Sequence, residues 1–439
     1  HLLVEKTDEC LLPGNDSGSP KSFTEAPLLL HEMKKQRRHL PTRLLIEQAF
    51  HTLSGLKPCW MMSPASAAQL LPKTPDLFDV LIIDEASQMK PEQAFSLIAR
   101  CKQLVIVGDR NQLPPTNFFQ KRDSMDNEDE EVEIEDNESV LELADKVITK
   151  NSCSLGWHYR SRHQSLINFS NYYFYDNRLT VFASNKVDSE VKYIKVEEPR
   201  YSGGVNLPEV EHTIKVLKQQ VAEDPSKSIL IATMNQAQTS ELTLALDREI
   251  QNDPVLERYA SSFKSTLDEL DVKNLENVQG DERDVVIVST VYGPGSDGRV
   301  MQNFGPINKE SGWRRLNVLF TRAKHRVIVV SSLNPSDITI ANTENAKRGV
   351  KAFRNYLEYA QTGKISDALR RESGVVESPF EESVRAALVR LGHQVDLQVG
   401  VASYRLDMAV LDPRDPSRYL LAIECDGASY HSSYSARSR

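Results

Sequence analysis

The chain has 439 residues, enough for about three domains at ~150 residues each. Apolar residues make up 40% and charged residues 26%, so ordinary cores form, and no run approaches the roughly 20 apolar residues of a membrane helix. Five scattered cysteines, none paired at zinc or redox spacing, exclude a disulfide scaffold and a zinc ribbon and point to a reducing cytoplasm. The net charge of −9 argues on its face against a polyanion binder. Ten acids crowd into residues 123–138, however, and without that block 53 basic residues face 52 acidic ones. Net charge is therefore uninformative about nucleic acid. The N-terminus, HLLVEKTDEC, has no signal pattern and begins with His, so the numbering is expected to start inside a longer chain.

In chain order, helical pattern runs from about Leu28 to Leu56, followed by the short apolar run of PCWMMSPASAA (58–68). FDVLIIDEASQ (78–88) and KQLVIVGDRNQLPP (102–115) each read as a strand buried on both faces that stops at carboxylates. The acidic block 123–138 reads as a solvated loop. KSILIAT (227–233), RDVVIVSTVYG (283–293) and RVIVVSS (326–332) are further buried strands between helical stretches, which implies a doubly wound α/β architecture. Residues 372–379 look like a linker. Beyond them FEESVRAALVRLGH (380–393) carries Val384, Ala387, Leu388 and Leu391 on one helical stripe, and residues 404–427 read as two strands about a Pro/Asp turn.

Asp84 and Glu85 end a buried strand, where α/β folds place ligands. One carboxylate there can hold Mg²⁺ on a nucleoside triphosphate while its neighbour polarises the attacking water. A second strand delivers Gly108 and Asp109, then Gln112, a group able to sense a γ-phosphate; Arg322 precedes another strand and is placed as an arginine finger. Taken singly, each is an ordinary surface residue.

Together, DEASQ, GDRNQLPP, LGWHYRSRHQSLINFSNYYFY (155–175), NVQGDERDVVIVSTV (277–291) and RRLNVLFTRAKHRVIVVSS (314–332) resemble consecutive motifs of superfamily 1 helicases. The likeness is to the branch with the RNA-surveillance and Okazaki-fragment-processing helicases. It covers about residues 58–335 and implies two RecA-like parallel-sheet domains acting on ATP, Mg²⁺ and nucleic acid. By resemblance Asp84 is the Mg²⁺ ligand, Glu85 the catalytic base and Gln112 the γ-phosphate sensor. Arg160 and Arg322 reach the phosphates, and Gln279, Gly280 and Glu282 match the motif at the nucleotide sugar. Asn235 and Gln238 fall at a weaker motif. Trp157, His158 and Tyr159 are expected in the cleft. Ser63 to Ser66 at a strand end, and Phe118 and Phe119 beyond Pro114 and Pro115, are placed for nucleic acid, with local packing an equal reading of the two rings. The departure is the P-loop: no GxxxxGK[ST] occurs, so this chain is expected not to turn over ATP alone. Gly293, Gly295 and Gly298 match GxGxxG, but residues 299–312 read as a loop rather than the helix a dinucleotide site needs.

A second constellation lies in the tail. Antiparallel pairing about DPRDPS (412–417) puts Asp407 roughly opposite Glu424, and Glu424 and Asp426, two apart, share a face. Cys425 points the other way, into the core. Three converging carboxylates are costly unless a divalent cation neutralises them, and Mg²⁺ held there can activate water for phosphodiester cleavage. SPFEESV (378–384), YRLDMAV (404–410), AIECDGASYH (422–431) and SARSR (435–439) resemble the restriction-endonuclease-like nucleases, nearest the very-short-patch-repair-like branch. By that likeness Asp407 and Glu424 bind metal, Glu381 is an auxiliary acid, Asp426 stands where the wider superfamily has Lys, and His431 is a general base or second ligand. The implied layout is a partial RecA-like domain (1–150), a second one (151–345), a linker (346–375) and a restriction-endonuclease-like domain (376–439). The leading expectation is part of a DNA helicase–nuclease in repair or defence. The alternatives are an RNA helicase-like remodeller with a non-catalytic tail, and an inactive regulatory fragment.

Overall fold

The computed structural model describes residues 14–115, 139–148, 150–198, 200–365, 379–401 and 404–425. Phe118, Phe119, the acidic block, the linker stretch 366–378, Asp426, His431 and the SARSR tail lie outside the described residues. The chain divides into two units, His1–Arg110 with Pro114–Ser152, and Asn111–Leu113 with Cys153–Arg439.

In the first unit the long helical pattern resolves into α1 (Glu25–Lys34), α2 (Thr42–Gln48) and α3 (Phe50–Leu56). Ser63 is not at a strand end: its hydroxyl accepts from the Ser66 N–H and Pro64 opens the short helix α4 (Pro64–Leu70). Ser-Pro is a helix-start signal, because Pro lacks only an N–H that the first turn leaves orphaned anyway. Strands β1 (Phe78–Ile83) and β2 (Cys101–Ile106) pair in parallel, Ile82 opposite Val105, with α5 (Pro91–Ile98) between them and α6 (Val140–Val147) after. Their alternation sends Leu81, Ile83, Leu104 and Ile106 toward a core with Phe50, Ala67, Leu97 and Leu141. The opposite face corrects the expectation of strands buried on both sides. Val80, Ile82, Val105 and Val107 are 44%, 66%, 45% and 42% exposed, since the described elements of this unit cover one face only.

The second unit holds a five-stranded parallel sheet in the order β3 (Val191–Lys195), β9 (Ala323–Ser331), β8 (Arg283–Ser289), β6 (Ile229–Thr233), β7 (Asp271–Asn274). A two-residue pair, β4 (Tyr201–Ser202) and β5 (Val205–Asn206), precedes the first crossover. Here the apolar runs are buried on both faces, as read from the sequence. Leu230, Ala232, Val286, Val288, Val327 and Val329 enter one core, while Ile229, Ile231, Val285, Ile287, Ile328 and Val330 enter the other. Period-two alternation inside an uninterrupted apolar run is what a sheet covered on both sides requires. The second core is closed by α8 (Leu207–Glu223), α9 (Gln236–Asn252) and α10 (Pro254–Phe263), and the first receives α7 (Ser165–Phe174) and α11 (Gly312–Phe320).

Residues 346–375 are not simply a linker. Arg348–Thr362 forms helix α12, whose Val350, Phe353, Tyr356, Leu357 and Ala360 are buried in the first core. Their i, i+3, i+6, i+7 spacing is an apolar stripe that the surrounding charges obscure. The tail folds as α13 (Pro379–Arg390) and an antiparallel sheet of β10 (Val395–Val401), β11 (Tyr404–Asp412) and β12 (Asp415–Ile423). Leu391 lies past the helix and is 74% exposed, so the stripe ends at Leu388.

Candidate nucleotide site and carboxylate hairpin

In the first unit, Asp84 and Glu85 leave the end of β1 and both face solvent. Glu85 takes the left-handed conformation (φ 53°), and its N–H donates to Asp84 Oδ1 at 2.9 Å. A non-glycine residue held there is strained backbone, which structures keep where a side chain must be aimed. The neighbouring strand end is locked to this turn. Val107 N–H donates to the Ile83 carbonyl at 2.8 Å, and Ala86 N–H to the Val107 carbonyl at 2.9 Å. A Cβ on Gly108 would lie 3.0 Å from Leu141 Cδ2 and 3.2–3.3 Å from the Ser87 and Ala86 backbone nitrogens, so a larger residue would require these neighbours to give by a few tenths of an ångström.

In the second unit the sequence-distant motifs converge. Arg160 donates from Nε to Glu282 Oε2 at 2.9 Å and from Nη1 to the Thr321 carbonyl at 3.2 Å. Lys324 holds the other oxygen of Glu282 at 2.9 Å. The Lys324 ammonium first, with Arg160, holds the Glu282 carboxyl below the usual carboxylate range. The Arg162 N–H donates to the Lys324 carbonyl at 2.8 Å, which fixes the arginine-bearing loop beside the start of β9. Gln279 Nε2 donates to Gln112 Oε1 at 3.4 Å, and Gly280 follows at φ 86°, a conformation that favours glycine.

Arg322 is only 2% exposed. Its Nε donates to the Val318 carbonyl at 2.7 Å and its Nη1 to the Asp281 carbonyl at 3.3 Å, so it closes the last turn of α11. His158 sits inside the same loop, accepting from the Ser161 N–H at 3.1 Å. Burial, aided by Arg160, brings its imidazole down to about 4. In an NMR titration His158 is therefore expected to stay neutral down to pH 5. In Arg160→Ala it should recover only part of the way toward 6.5, because burial is the larger cause; full recovery would refute that ranking. Trp157 and Tyr159 flank it at 68% and 86% exposure, Trp157 edge-on to Phe182.

The tail hairpin has the register expected of it. Met408 pairs with Ile423, which carries Asp407 opposite Glu424 one step further on. Asp407 Oδ2 accepts from the Cys425 N–H at 2.6 Å, and Glu381 on α13 is 7% exposed. The turn is tighter than DPRDPS suggested, with Asp412 paired to Asp415 around Pro413 and Arg414. β12 ends at Ile423, just before Glu424, and its Leu420 and Leu421 are 62% and 56% exposed.

Residues 62–120 and 137–334 match two family models described as an AAA domain, and residues 380–439 match the REase_MTES_1575 family. Over 321 residues, 71% of this chain, it is 34% identical to the uncharacterized ATP-dependent helicase MG140 of Mycoplasma genitalium. It is 25% identical over 58% of its length to helicase sen1 of Schizosaccharomyces pombe. To the DNA replication ATP-dependent helicase/nuclease DNA2 of Gallus gallus it is 26% identical over 58%. The chain carries superfamily 1 helicase domains and a restriction-endonuclease-like domain. It spans 28%, 15% and 23% of those three relatives.

Within this helicase frame, Gln112, Arg160, Gln279, Gly280, Glu282 and Arg322 all belong to the second unit, and Asp84 and Glu85 to the first. Gln238 does not line a surface. It is fully buried, donating to the Asn206 carbonyl and to Ser289 Oγ, while Asn235 caps α9. Sequence reading missed Lys324, whose only signal is its place two residues after Arg322. It also missed Glu209, a fully buried acid that organises the ends of β8 and β9. No helix among the described residues is long and apolar enough to cross a membrane.

Proposed function

We propose that this chain is the later part of an ATP-driven nucleic-acid motor with a metal-dependent nuclease tail, working on DNA in the cytoplasm. The observation that carries the motor reading is the Arg160–Glu282–Lys324 cluster, assembled from three motifs up to 164 positions apart beside Gln279 and Gln112. In this reading Asp84 holds Mg²⁺, for which one exposed carboxylate plus phosphate oxygens is an ordinary ligand set. Glu85 takes the proton of the attacking water and Arg160 supplies positive charge to the phosphates, a role that Arg322, bonded to the Val318 and Asp281 carbonyls, could share only by releasing those bonds. Glu282 keeps Arg160 aimed. DNA is favoured over RNA by the tail, where Asp407 and Glu424 stand in register and suit a hydrolytic metal. The domains are then 1–150, 151–345 with α12 appended, and 376–439.

The test is hydrolysis of ATP by two proteins, this chain and one carrying a GxxxxGK[ST] segment ahead of it. The chain alone should give no turnover. The extended protein should turn over in the presence of single-stranded DNA, and Glu85→Gln should cut that by about 10²–10⁴-fold, the usual share of a general base. Steady turnover by this chain alone, or an extended protein indifferent to Glu85→Gln, overturns the reading.

A further inference from the structure

The edge of β12 is not open along its whole length. Val187 N–H donates to the Ser417 carbonyl and Tyr419 N–H to the Asn185 carbonyl, both at 2.8 Å, around an antiparallel bridge between Lys186 and Arg418. The edge of the tail sheet is thus capped at one isolated bridge, by a segment that precedes β3 of the helicase domain. The same segment is bound from behind to the arginine-bearing motif. His163 Nε2 bonds the Lys186 carbonyl at 3.0 Å, and the Ser184 N–H donates to Gln164 Oε1 at 2.7 Å. Lys186 is paired with Glu190 at 2.6 Å, and Glu190 with Arg326 on β9 at 2.9 Å. Two like charges face each other across the bridge, which weakens rather than drives it. Each has its own acid, since Arg418 lies 3.4 Å from Asp415.

We propose that residues 185–187 are a docking strand through which the helicase domain carries the nuclease-like sheet as a fixed appendage. The sheet is then held by strand addition and does not merely trail on its covalent connection. Asp407 on β11 is one strand in from the dock, and His163 is three residues from Arg160. On the function proposed above, the hydrolytic carboxylates would move with the phosphate-facing arginine; the dock itself stands whether or not the tail cleaves.

The bond pattern makes the dock testable without any activity. Because the paired hydrogen bonds flank Lys186 and Arg418, these two form a non-hydrogen-bonded pair, whose Cα atoms lie about 4.5 Å apart, within disulfide range. In the intact chain, Lys186→Cys with Arg418→Cys should form an intramolecular disulfide in most molecules under oxidised glutathione, located by peptide mass. Each single variant, and Asp188→Cys with Arg418→Cys two residues out of register, should give no more than about a tenth of that yield. Separately, Val187→Pro removes one of the two donors and should speed exchange of the Tyr419 amide by about tenfold. Equal cross-linking of the in-register and offset pairs, or Tyr419 exchange unchanged by Val187→Pro, overturns the proposal. A nuclease-inactive protein that still cross-links would defeat the functional reading and leave the dock intact.

Discussion

Glu209→Leu is expected to cost the second unit about 3–5 kcal/mol, because it leaves several buried donors without an acceptor at about 1–3 kcal/mol each, partly relieved by local adjustment. Glu209 has no exposed surface and accepts from five donors. They are the backbone N–H groups of Val291 and Ser332 (both 2.7 Å), the hydroxyls of Ser289 (2.9 Å) and Thr290 (3.4 Å), and Asn206 Nδ2 (3.3 Å). Leucine fills the space and satisfies none of them. Val291 adds to the loss, because a β-branched residue at φ 70° persists only while its surroundings hold it. Urea unfolding followed by Trp313, which stacks on Phe174 in this unit, would measure the difference. Glu209→Gln should lose less, about 1–3 kcal/mol, since one oxygen still accepts while the new NH₂ opposes a donor. Burial pushes the Glu209 carboxyl up to about 7 against the pull of its donors. A folded value above the unfolded one means stability falls as pH rises from about 4.5 through 7. The glutamine variant should lack that component. If Glu209→Leu unfolds within 1 kcal/mol of the parent, the carboxylate is not what holds these strand ends.

Why Glu209 escaped the sequence reading is instructive about what a sequence exposes. It sits in LPEVEH, two residues into a helix, where an acid is the commonest surface residue and complements the helix N-terminus. Its signal is elsewhere: Ser289, Thr290, Ser331 and Ser332 put four small hydroxyls at the ends of two otherwise apolar central strands. Those strands were themselves legible, because runs such as ILIAT (229–233) and VVIVS (285–289), buried on both faces, leave no polar alternation to misread. The same rule failed for β1 and β2, whose runs are largely apolar and whose outward faces are open. Apolar composition reports what a strand needs covered, and the cover is a property of neighbouring elements. Arg160, Glu282 and Arg322 were legible only as members of ordered motifs. Their actual joining through Lys324 and the Thr321 and Val318 carbonyls depends on how α11 ends against β8, which no local pattern encodes.

For the tail, Asp407→Asn is the substitution that separates chemistry from fold. Asparagine keeps an oxygen able to accept from the Cys425 N–H, the bond Asp407 makes at 2.6 Å, and removes only the charge. If Asp407 and Glu424 share a cation, the asparagine variant should lose Mn²⁺ binding by calorimetry and should nick supercoiled plasmid at least about 10²-fold more slowly in Mg²⁺ or Mn²⁺. Thermal unfolding of the variant should stay close to the parent. Asp407→Ala should show the same loss of cleavage with an added stability cost, since it leaves the Cys425 N–H without its acceptor. Glu424→Gln combined with Asp407→Asn should be scarcely worse than either alone, because two ligands of one ion are not independent. Additive effects would mean that the two carboxylates act separately. A parent protein that binds neither Mg²⁺ nor Mn²⁺ and nicks nothing, yet retains duplex DNA, would make the hairpin a recognition element. In that outcome the in-register acids would serve only to shape the hairpin, and the helicase domain would carry all the chemistry of the chain.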